Sequence, residues 1–508
     1  MTVRTTPLGR LLYASTFLIS TCGLIYELVA GALASYLLGD SVTQFSLVIG
    51  AYLSAMGVGS WLSRHIEGNL VARFVEIEIA VALLGGFEAP LLFAGFTWTP
   101  AFRGVLYILV ALVGVGVGLE LPLLIRILET RTTLKELVAR VLFLDYIGAL
   151  AASLLFPLFL LPYLGLLRTS LALGIVNAAV ALWTTFLFDA PPPVRARLRF
   201  LTVGALAALS MGLYGAGAFE RRMEQDMYAD PVVLSEQTPY QRLVVTHDQY
   251  DTRLYLDGAL QFSSVDEYRY HEALVHPVLA RVVNPRRVLV LGGGDGLAVH
   301  QVLRYPSVES VTLVDLDPSM TRLFSIRPEL AALNSHALND PRVHIVNDDA
   351  FQWLRTTTEA SFDAAIVDFP DPNHYALGKL YTDQLYRMLA RRMGPGAVIS
   401  VQATSPLFSR GAFSCIVATM SWSGWTIAPY HAYVPSFGEW GFVLASLGPI
   451  PPLGVLPDGL RFLDAATEPL LYVFPRDLAP TAGTINRLDN QALVRLYEDD
   501  WNDMGMTR

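Results

Sequence analysis

The sequence predicts two unlike halves: an N-terminal multi-pass bundle of membrane-spanning α-helices, about seven in number, and a C-terminal α/β domain of Rossmann type preceded by a small antiparallel β-domain. Three observations predict this. Apolar runs of about 20 residues, the length needed to span a bilayer as helix, recur through the first 220 positions. From Arg287 onward short apolar strands alternate with helical segments. A glycine-rich turn, Gly292-Gly-Gly-Asp-Gly296, joins the first of those strands to its helix. The segments are 1–222 (membrane helices), 230–265 (small β-domain), 266–447 (Rossmann-type domain) and 448–508 (C-terminal tail).

Composition supports the division. The 508 residues are 53% hydrophobic and only 16% charged, against about 25% charged in ordinary soluble chains. Residues 1–222 carry 15 basic and 12 acidic side chains, and the remainder carries 21 and 33. An acidic domain disfavours nucleic acid and suits a cationic substrate. Cys22 and Cys415, the two cysteines, show neither zinc spacing nor a disulfide framework, and no metal is expected.

The expected spans are 11–37, 43–62, 72–96, 104–127, 139–162, 166–188 and 199–218. The first is too long for a cleaved signal, and further spans follow it. Gly114, Gly116 and Gly118, and Gly148 with Ala151 and Ala152, are small residues of the kind that let helices approach closely in lipid. Arg4, Arg10, Arg64, Arg73, Arg126, Arg131, Lys135, Arg140, Arg195, Arg197 and Arg199 gather on the N-terminal side, and Arg103 and Arg168 on the other, with Arg221 and Arg222 just past the last span. The positive-inside rule therefore puts the N-terminus in the cytoplasm. An odd span count then exports the C-terminal domain and one span more or fewer reverses it, so the side of the inner (cell) membrane that this domain faces stays open. Glu27, Glu78, Glu120 and Asp145 fall within spans, where a charge is costly, and are candidates for a polar cavity that takes a cation. Glu76 and Glu88 lie nearer the predicted span ends and are expected to be interfacial or paired.

In the second half, residues 232–263 alternate apolar and polar, with turn signals at 248–251 and Asp257-Gly258, and read as antiparallel strands. A helix is expected from Asp266 to Arg281. Strands follow at Arg287–Leu291, Val311–Val314, Val343–Val346, Phe362–Val367 and Ala397–Gln402. Doubly wound sheets bind ligands at the carboxyl ends of their strands, and Asp295, Asp315, Asp349, Asp368 and Asp371 all fall there. Strand, glycine turn (from Gly292), helix, strand and terminal acid together form a nucleotide-binding βαβ unit. The spacing is not G-x-G-x-x-G, and Asp295 inside the turn repels phosphate and attracts an amine, which favours a sulfonium cofactor of the S-adenosyl type over a dinucleotide. Tyr375, Tyr381, Trp422 and Trp425 are read as core rather than cleft, and the tail as a cap without visible chemistry.

Asp266-Glu-Tyr-Arg-Tyr-His-Glu272, Gly292-Gly-Gly-Asp-Gly296 and Asp368-x-x-Asp-Pro372 resemble the signature blocks of the spermidine synthases, the polyamine aminopropyltransferases, and more narrowly their membrane-fused members. The resemblance covers roughly residues 230–447. It implies decarboxylated S-adenosylmethionine as co-substrate, with its aminopropyl group passed to a di- or polyamine, putrescine foremost, and methylthioadenosine released. By position it implies that Gln241 and His271 contact this donor, that Asp295 holds its aminopropyl ammonium, Asp315 its ribose, and Asp348 and Asp349 its adenine side. It further implies Asp368 as the catalytic acid, with Tyr270 lining the amine pocket beside it, and Asp371 as the amine-binding acid. The chain departs from the pattern at Phe369-Pro370 and at Phe437, which stands where a tyrosine is usual, while Glu439 adds a candidate acceptor-side carboxylate. A homodimer is compatible with the resemblance. Two rival readings stand beside it: a polyamine transporter or sensor that uses the Rossmann domain as a binding module, and a methyltransferase using intact S-adenosylmethionine.

Overall fold

A computed structural model describes residues 7–38, 41–129, 134–187, 191–359 and 361–503. Arg4 and Arg131 lie outside the described residues. The chain divides into two compact units, Met1–Ala229 and Asp230–Arg508.

Unit 1 is helical: α1 (Pro7–Leu38), α2 (Ser41–Leu62), α3 (Leu70–Gly86), α4 (Glu88–Trp98), α5 (Phe102–Leu128), α6 (Leu134–Leu155), α7 (Leu161–Leu187) and α8 (Pro192–Met227). Among the described residues, five helical segments are long and apolar enough to cross a membrane, and α3 with α4, bent by 45°, makes a sixth. The predicted span 72–96 is therefore a broken helix. One of the five, Leu134–Leu187, covers 54 residues, which at about 1.5 Å per residue is more than twice a bilayer's hydrocarbon thickness. It is interrupted by a π-helical stretch, Phe156–Leu160, and by Gly165, whose φ of 71° and ψ of 177° are not helical.

Small residues set the helix packing. A Cβ at Gly118 of α5 would stand 2.2 Å from the Met56 carbonyl oxygen of α2, and one at Gly59 of α2 would stand 2.2 Å from the Val115 carbonyl oxygen. The Ser170 hydroxyl of α7 donates to the carbonyls of Gly85 and Gly86 at the end of α3. Trp183 Nε1 of α7 donates to Ser15 Oγ of α1 at 2.9 Å.

The predicted membrane carboxylates separate by environment. Glu27, Glu78 and Glu120 are buried. Asp145 accepts from the Ser20 hydroxyl at 2.5 Å. Glu76 pairs with Arg73 and Arg197 at a helix end. Glu88 corrects the expectation of an interfacial group. The break at Phe87 starts α4 inside the bundle, so Glu88 is 1% exposed and one of its oxygens has no hydrogen-bond partner.

Unit 2 begins with a four-stranded antiparallel sheet in the order of the chain: β1 (Val232–Gln237), β2 (Arg242–His247), β3 (Thr252–Leu256) and β4 (Ala259–Ser263). Then come α9 (Glu267–Leu279), β5 (Arg287–Gly292), α10 (Leu297–Val302), β6 (Ser310–Asp315), α11 (Pro318–Ile326), α12 (Pro328–Leu333), β7 (Val343–Asn347), α13 (Ala350–Thr356) and β8 (Phe362–Asp368). The chain continues through α14 (Tyr375–Gly378), α15 (Asp383–Ala390), β9 (Met393–Gln402), α16 (Arg410–Trp422), β10 (Thr426–Val434), β11 (Gly438–Ser446) and α17 (Ala492–Asp503). The second sheet has the order β10-β11-β9-β8-β5-β6-β7, parallel from β9 to β7 and antiparallel at the β10–β11 edge. Side chains alternate along β5. Val288 and Val290 enter the core with α9 and α10, whereas Leu289 and Leu291 enter the core with α13, α15 and α16. The order reverses between β5 and β8, and such a switch point opens a crevice at the strands' carboxyl ends.

The tail is more than the cap expected from the sequence. The Glu272 carboxylate of α9, 1% exposed, accepts backbone N–H groups of Arg461, Phe462 and Leu463. Arg281 pairs with buried Glu468 at 2.7 Å. Asn486 bonds the carbonyls of Gly378 and Tyr381. Glu272→Ala would strand three backbone donors and is expected to destabilise unit 2 by about 3 kcal/mol or more. Thermal unfolding and proteolysis around residue 462 check this; unchanged protease resistance there would show that the tail is held by other contacts.

Candidate active site

A cavity of about 460 Å³ opens at the switch point. Gly292, at the end of β5, is the register partner of Asp368, at the end of β8. The turn between β5 and α10 needs glycine for two reasons. Gly292, Gly293 and Gly296 have φ of 79°, 68° and 79°, where a Cβ is strained. A Cβ at Gly292 would also stand 2.2 Å from the Asp368 carbonyl oxygen, and one at Gly294 would stand 2.6 Å from the Asp315 carboxyl carbon. The turn thus lies directly against two of the acids. The Gly294 N–H donates to Asp315 Oδ2 at 3.0 Å, and the Asp317 N–H donates to Asp315 Oδ1 at 2.9 Å.

The structure brings Gln241, Tyr270, His271, Gly292, Asp295, Asp315, Asp349, Asp368 and Asp371 to this one cavity. The Tyr270 hydroxyl, on α9, donates to Asp368 Oδ1 at 2.6 Å. His271, next on the helix, bonds Glu267 through Nδ1 at 2.8 Å. Asp266 holds the start of α9 in place by accepting from the Ser436 N–H and hydroxyl. Gln241 Nε2 donates to Asp317 Oδ2 at 3.1 Å. Asp349 accepts the N–H groups of Phe351 and Gln352 at the start of α13 and pairs with Lys379 at 2.5 Å.

Two predicted residues do not line the cavity. Asp348 is exposed, and its Oδ1 accepts the Asp349 N–H, since adjacent residues of this turn point apart. Glu439 lies on β11 beside Trp440. Strand alternation sends Trp440 to the cavity and Glu439 away from it, onto His431 Nδ1 at 2.8 Å. Of the aromatics read as core, Tyr381 and Trp425 are buried away from the cavity and Trp422 is exposed. Tyr381 nevertheless supports the site, because its hydroxyl donates to the carbonyls of Phe369 and Pro370.

Several lining groups escaped the sequence reading, Gln402, Trp440 and Tyr497 among them. Gln402, at the end of β9, donates to the Phe369 carbonyl at 2.6 Å; its place at a strand's carboxyl end was the available signal. Trp440 has a buried Nε1–H with no hydrogen-bond partner. The Tyr497 hydroxyl on α17 donates to Asp371 Oδ2 at 3.0 Å. No local pattern marks Tyr497, since 126 residues separate it from its partner.

Electrostatics follow from packing four acids into a closed space. Burial raises Asp295 to about 7, although His271 opposes the rise. Burial likewise raises Asp315 to about 6 and Asp371 to about 6, the latter against bonds from Tyr497, Gln402 and Thr404. Burial also raises Asp368, opposed by His271 and Tyr270. For His271, burial lowers the pKa, but the bond to Glu267 and the charges of Asp295 and Asp368 outweigh it and bring the group to about 9. Burial thus disfavours the charged form of these acids, a cost that a bound cation would relieve.

Comparison with known proteins bears on the same region. Residues 267–450 match the spermine/spermidine synthase domain. The chain is 50% identical over 491 residues to a polyamine aminopropyltransferase of Leptospira interrogans, covering 97% of this chain and 98% of that one. It is 51% identical over 505 residues to polyamine aminopropyltransferase 2 of Ralstonia nicotianae, with 97% and 98% coverage. A solved spermidine synthase in complex with the transition state analogue AdoDATO aligns with 49% of this chain and 88% of its own, at 25% identity and a TM-score of 0.46.

The raised acids make a signed prediction. A carboxyl whose folded pKa exceeds its unfolded value contributes stability that is lost as pH rises through the folded value. Thermal stability of the ligand-free chain is therefore expected to fall as pH rises from 3.8 through about 7, the interval set by Asp295. Asp295→Asn should flatten part of that fall. A melting temperature that rises over this interval, or one that Asp295→Asn leaves with the same slope, would contradict the assignment.

Proposed function

The chain belongs to the polyamine aminopropyltransferases, and from that premise we propose how its cavity works. The protein transfers the aminopropyl group of decarboxylated S-adenosylmethionine to a polyamine, and we take putrescine as the acceptor. In the reaction the acceptor nitrogen forms a C–N bond to the sulfonium-bound carbon. The C–S bond breaks, its electron pair stays on sulfur, and methylthioadenosine leaves as a neutral thioether. A protonated amine has no free electron pair, so the attacking nitrogen must first give up a proton.

Asp368 takes that proton. Its position at the end of β8, against the glycine turn and under the Tyr270 hydroxyl, supports this role. Asp371, three residues on and fixed by Tyr497, binds the ammonium at the acceptor's far end. Asp295 holds the donor's aminopropyl ammonium, and Asp315 accepts from its ribose hydroxyls. Gln241 and His271 line the donor side, and Asp349 with Lys379 borders the adenine. Orienting two cations between fixed carboxylates supplies much of the rate by proximity. The single observation that carries this reading is the joining of Asp295, Asp315, Asp368 and Asp371 in one cavity with a tyrosine hydroxyl on each of the last two.

For unit 1 we propose a seven-span bundle in the cell membrane. The 54-residue segment counts as two crossings because it breaks at Gly165, and α3 with α4 counts as one. Large apolar side chains face outward, among them Phe143, Phe200 and Met211, an exposure that suits lipid and not water. The basic residues place the N-terminal side in the cytoplasm, and an odd number of crossings puts the two ends of the bundle on opposite sides.

Purified full-length protein with decarboxylated donor and putrescine is expected to release methylthioadenosine. Asp368→Asn should lower kcat by about 10²–10⁴-fold while donor binding changes little; an unchanged kcat would remove Asp368 from proton transfer. For topology, a cysteine introduced near residue 450 should react in intact cells with a membrane-impermeant thiol reagent. Protection from that reagent would mean an even number of crossings.

A further inference from the structure

Unit 1 buries polar groups that no neighbour satisfies, and helix contacts bring three of them, Glu78, Glu120 and Asn177, to one depth. Both oxygens of Glu78, both of Glu120, both polar atoms of Asn177 and the Tyr26 hydroxyl lack hydrogen-bond partners. None of these four side chains is more than 1% exposed. On α7, Ser170 bonds the carbonyls of Gly85 and Gly86, and a Cβ at Gly174 would meet the Ala82 carbonyl oxygen at 2.7 Å. Asn177 continues that face of α7, and Glu78 continues the facing side of α3 one turn beyond Ala82, so the two residues lie at the same level. A Cβ at Gly116 of α5 would stand 2.5 Å from the Val81 side chain of α3. Glu120, one turn on, therefore faces the same level, and it is close enough to Glu78 for the two to interact. Glu78 lies eight residues from the start of α3 and Glu120 eight from the end of α5, which is about 12 Å along each helix.

Two carboxylates at such a depth cost several kcal/mol unless something neutralises them. Among the described residues, no three acidic, histidine or cysteine side chains converge as metal ligands. The unmet groups are chiefly acceptors: four carboxylate oxygens, an amide oxygen and a phenol oxygen. An alkylammonium group offers three N–H donors and one charge, which complements that set. A second anionic level lies beyond the first. Glu27 and Glu88 are both buried, with Glu88 at the break between α3 and α4. Broken helices with polar groups at the break mark ion and substrate sites in membrane proteins. Along α3 and α4, Glu88 is ten residues beyond Glu78, or roughly 15 Å of helix rise. Two anionic levels at that separation suit a linear chain with charges at intervals better than a compact ion.

We propose that the helical bundle contains an intramembrane site for a linear polyamine, with one ammonium held between Glu78 and Glu120 beside Asn177 and a second held toward Glu27 and Glu88. The identity of the amine rests on the transferase reading of unit 2; the need for a cation does not.

Equilibrium binding of radiolabelled spermidine to the full-length protein in nanodiscs tests this. Wild type should bind one equivalent beyond that of the catalytic cavity. Glu78→Gln with Glu120→Gln should lose one equivalent and keep kcat/KM for aminopropyl transfer, whereas Asp371→Asn should lose the other. Asn177→Leu, which leaves the acids in place, should weaken the bundle's equivalent by about tenfold, the loss expected for removing a buried polar contact. An equivalent count that neither the Gln pair nor Asn177→Leu alters would overturn the proposal. So would displacement of the bundle's equivalent by sodium or potassium at the spermidine concentration. If Asp371→Asn costs no equivalent while the Gln pair does, the acceptor-pocket reading of unit 2 fails and the bundle site stands.

Discussion

The architecture of unit 2 depends on one close approach, that of the Gly292–Gly294 backbone to the carboxyl ends of β6 and β8. No side chain fits between the turn and Asp315 or Asp368, so the turn backbone packs directly on both; the Gly294 N–H donates to Asp315, while the Tyr270 hydroxyl reaches Asp368 from α9. That contact lets several carboxylates share a closed space that Lys379 and His271 only partly neutralise. Burial then raises the acids' pKa values and leaves a site whose charge is completed by a cationic ligand. The free energy lost by crowding acids is what a sulfonium and an ammonium recover on binding, so binding energy and catalytic positioning have the same source.

The surroundings of the cavity serve that contact. Helix α9 delivers Tyr270 to Asp368 and His271 to the cavity from consecutive positions, and it is fixed at its start by Asp266 on Ser436 and at its middle by Glu272 on the tail. The tail returns over the sheet and brings Tyr497 to Asp371. The Asp371 end of the cavity is thus built with the last helix of the chain, and the Asp295 end by the first βαβ unit. Phe437 packs against Tyr270 and Trp440, with ring centroids 6.0 Å and 5.0 Å away. This gives that part of the cavity an apolar wall.

In unit 1 helix packing achieves a similar burial. Glycine contacts bring helices close together, Glu78, Glu120 and Asn177 are buried between them, and large apolar side chains such as Phe143, Phe200 and Met211 lie on the outside. Acidic groups held inside an apolar shell are the common feature of both units, although glycine turns arrange them in one and helix packing in the other.

Much of this was legible in the sequence, because periodicity and local chemistry encode it. Apolar runs of span length marked the helices. The strand–glycine–helix–strand order marked the parallel sheet and the edge where Asp295, Asp315, Asp368 and Asp371 gather, and three ordered blocks carried the family. The sequence could not show contacts made by distant segments or the direction in which a side chain turns. Glu439 and Asp348 carry the right chemistry but point away, since strand alternation and turn geometry decide facing only once the register is set. Tyr497 carries no local signal and acquires a role only when the tail folds back. Glu88 looked interfacial until the break at Phe87 placed it inside the bundle. Sequence by itself determined which groups are available and roughly where along the chain they lie; tertiary structure decided which of them meet, because burial and facing are properties of packed elements and not of a local stretch of residues.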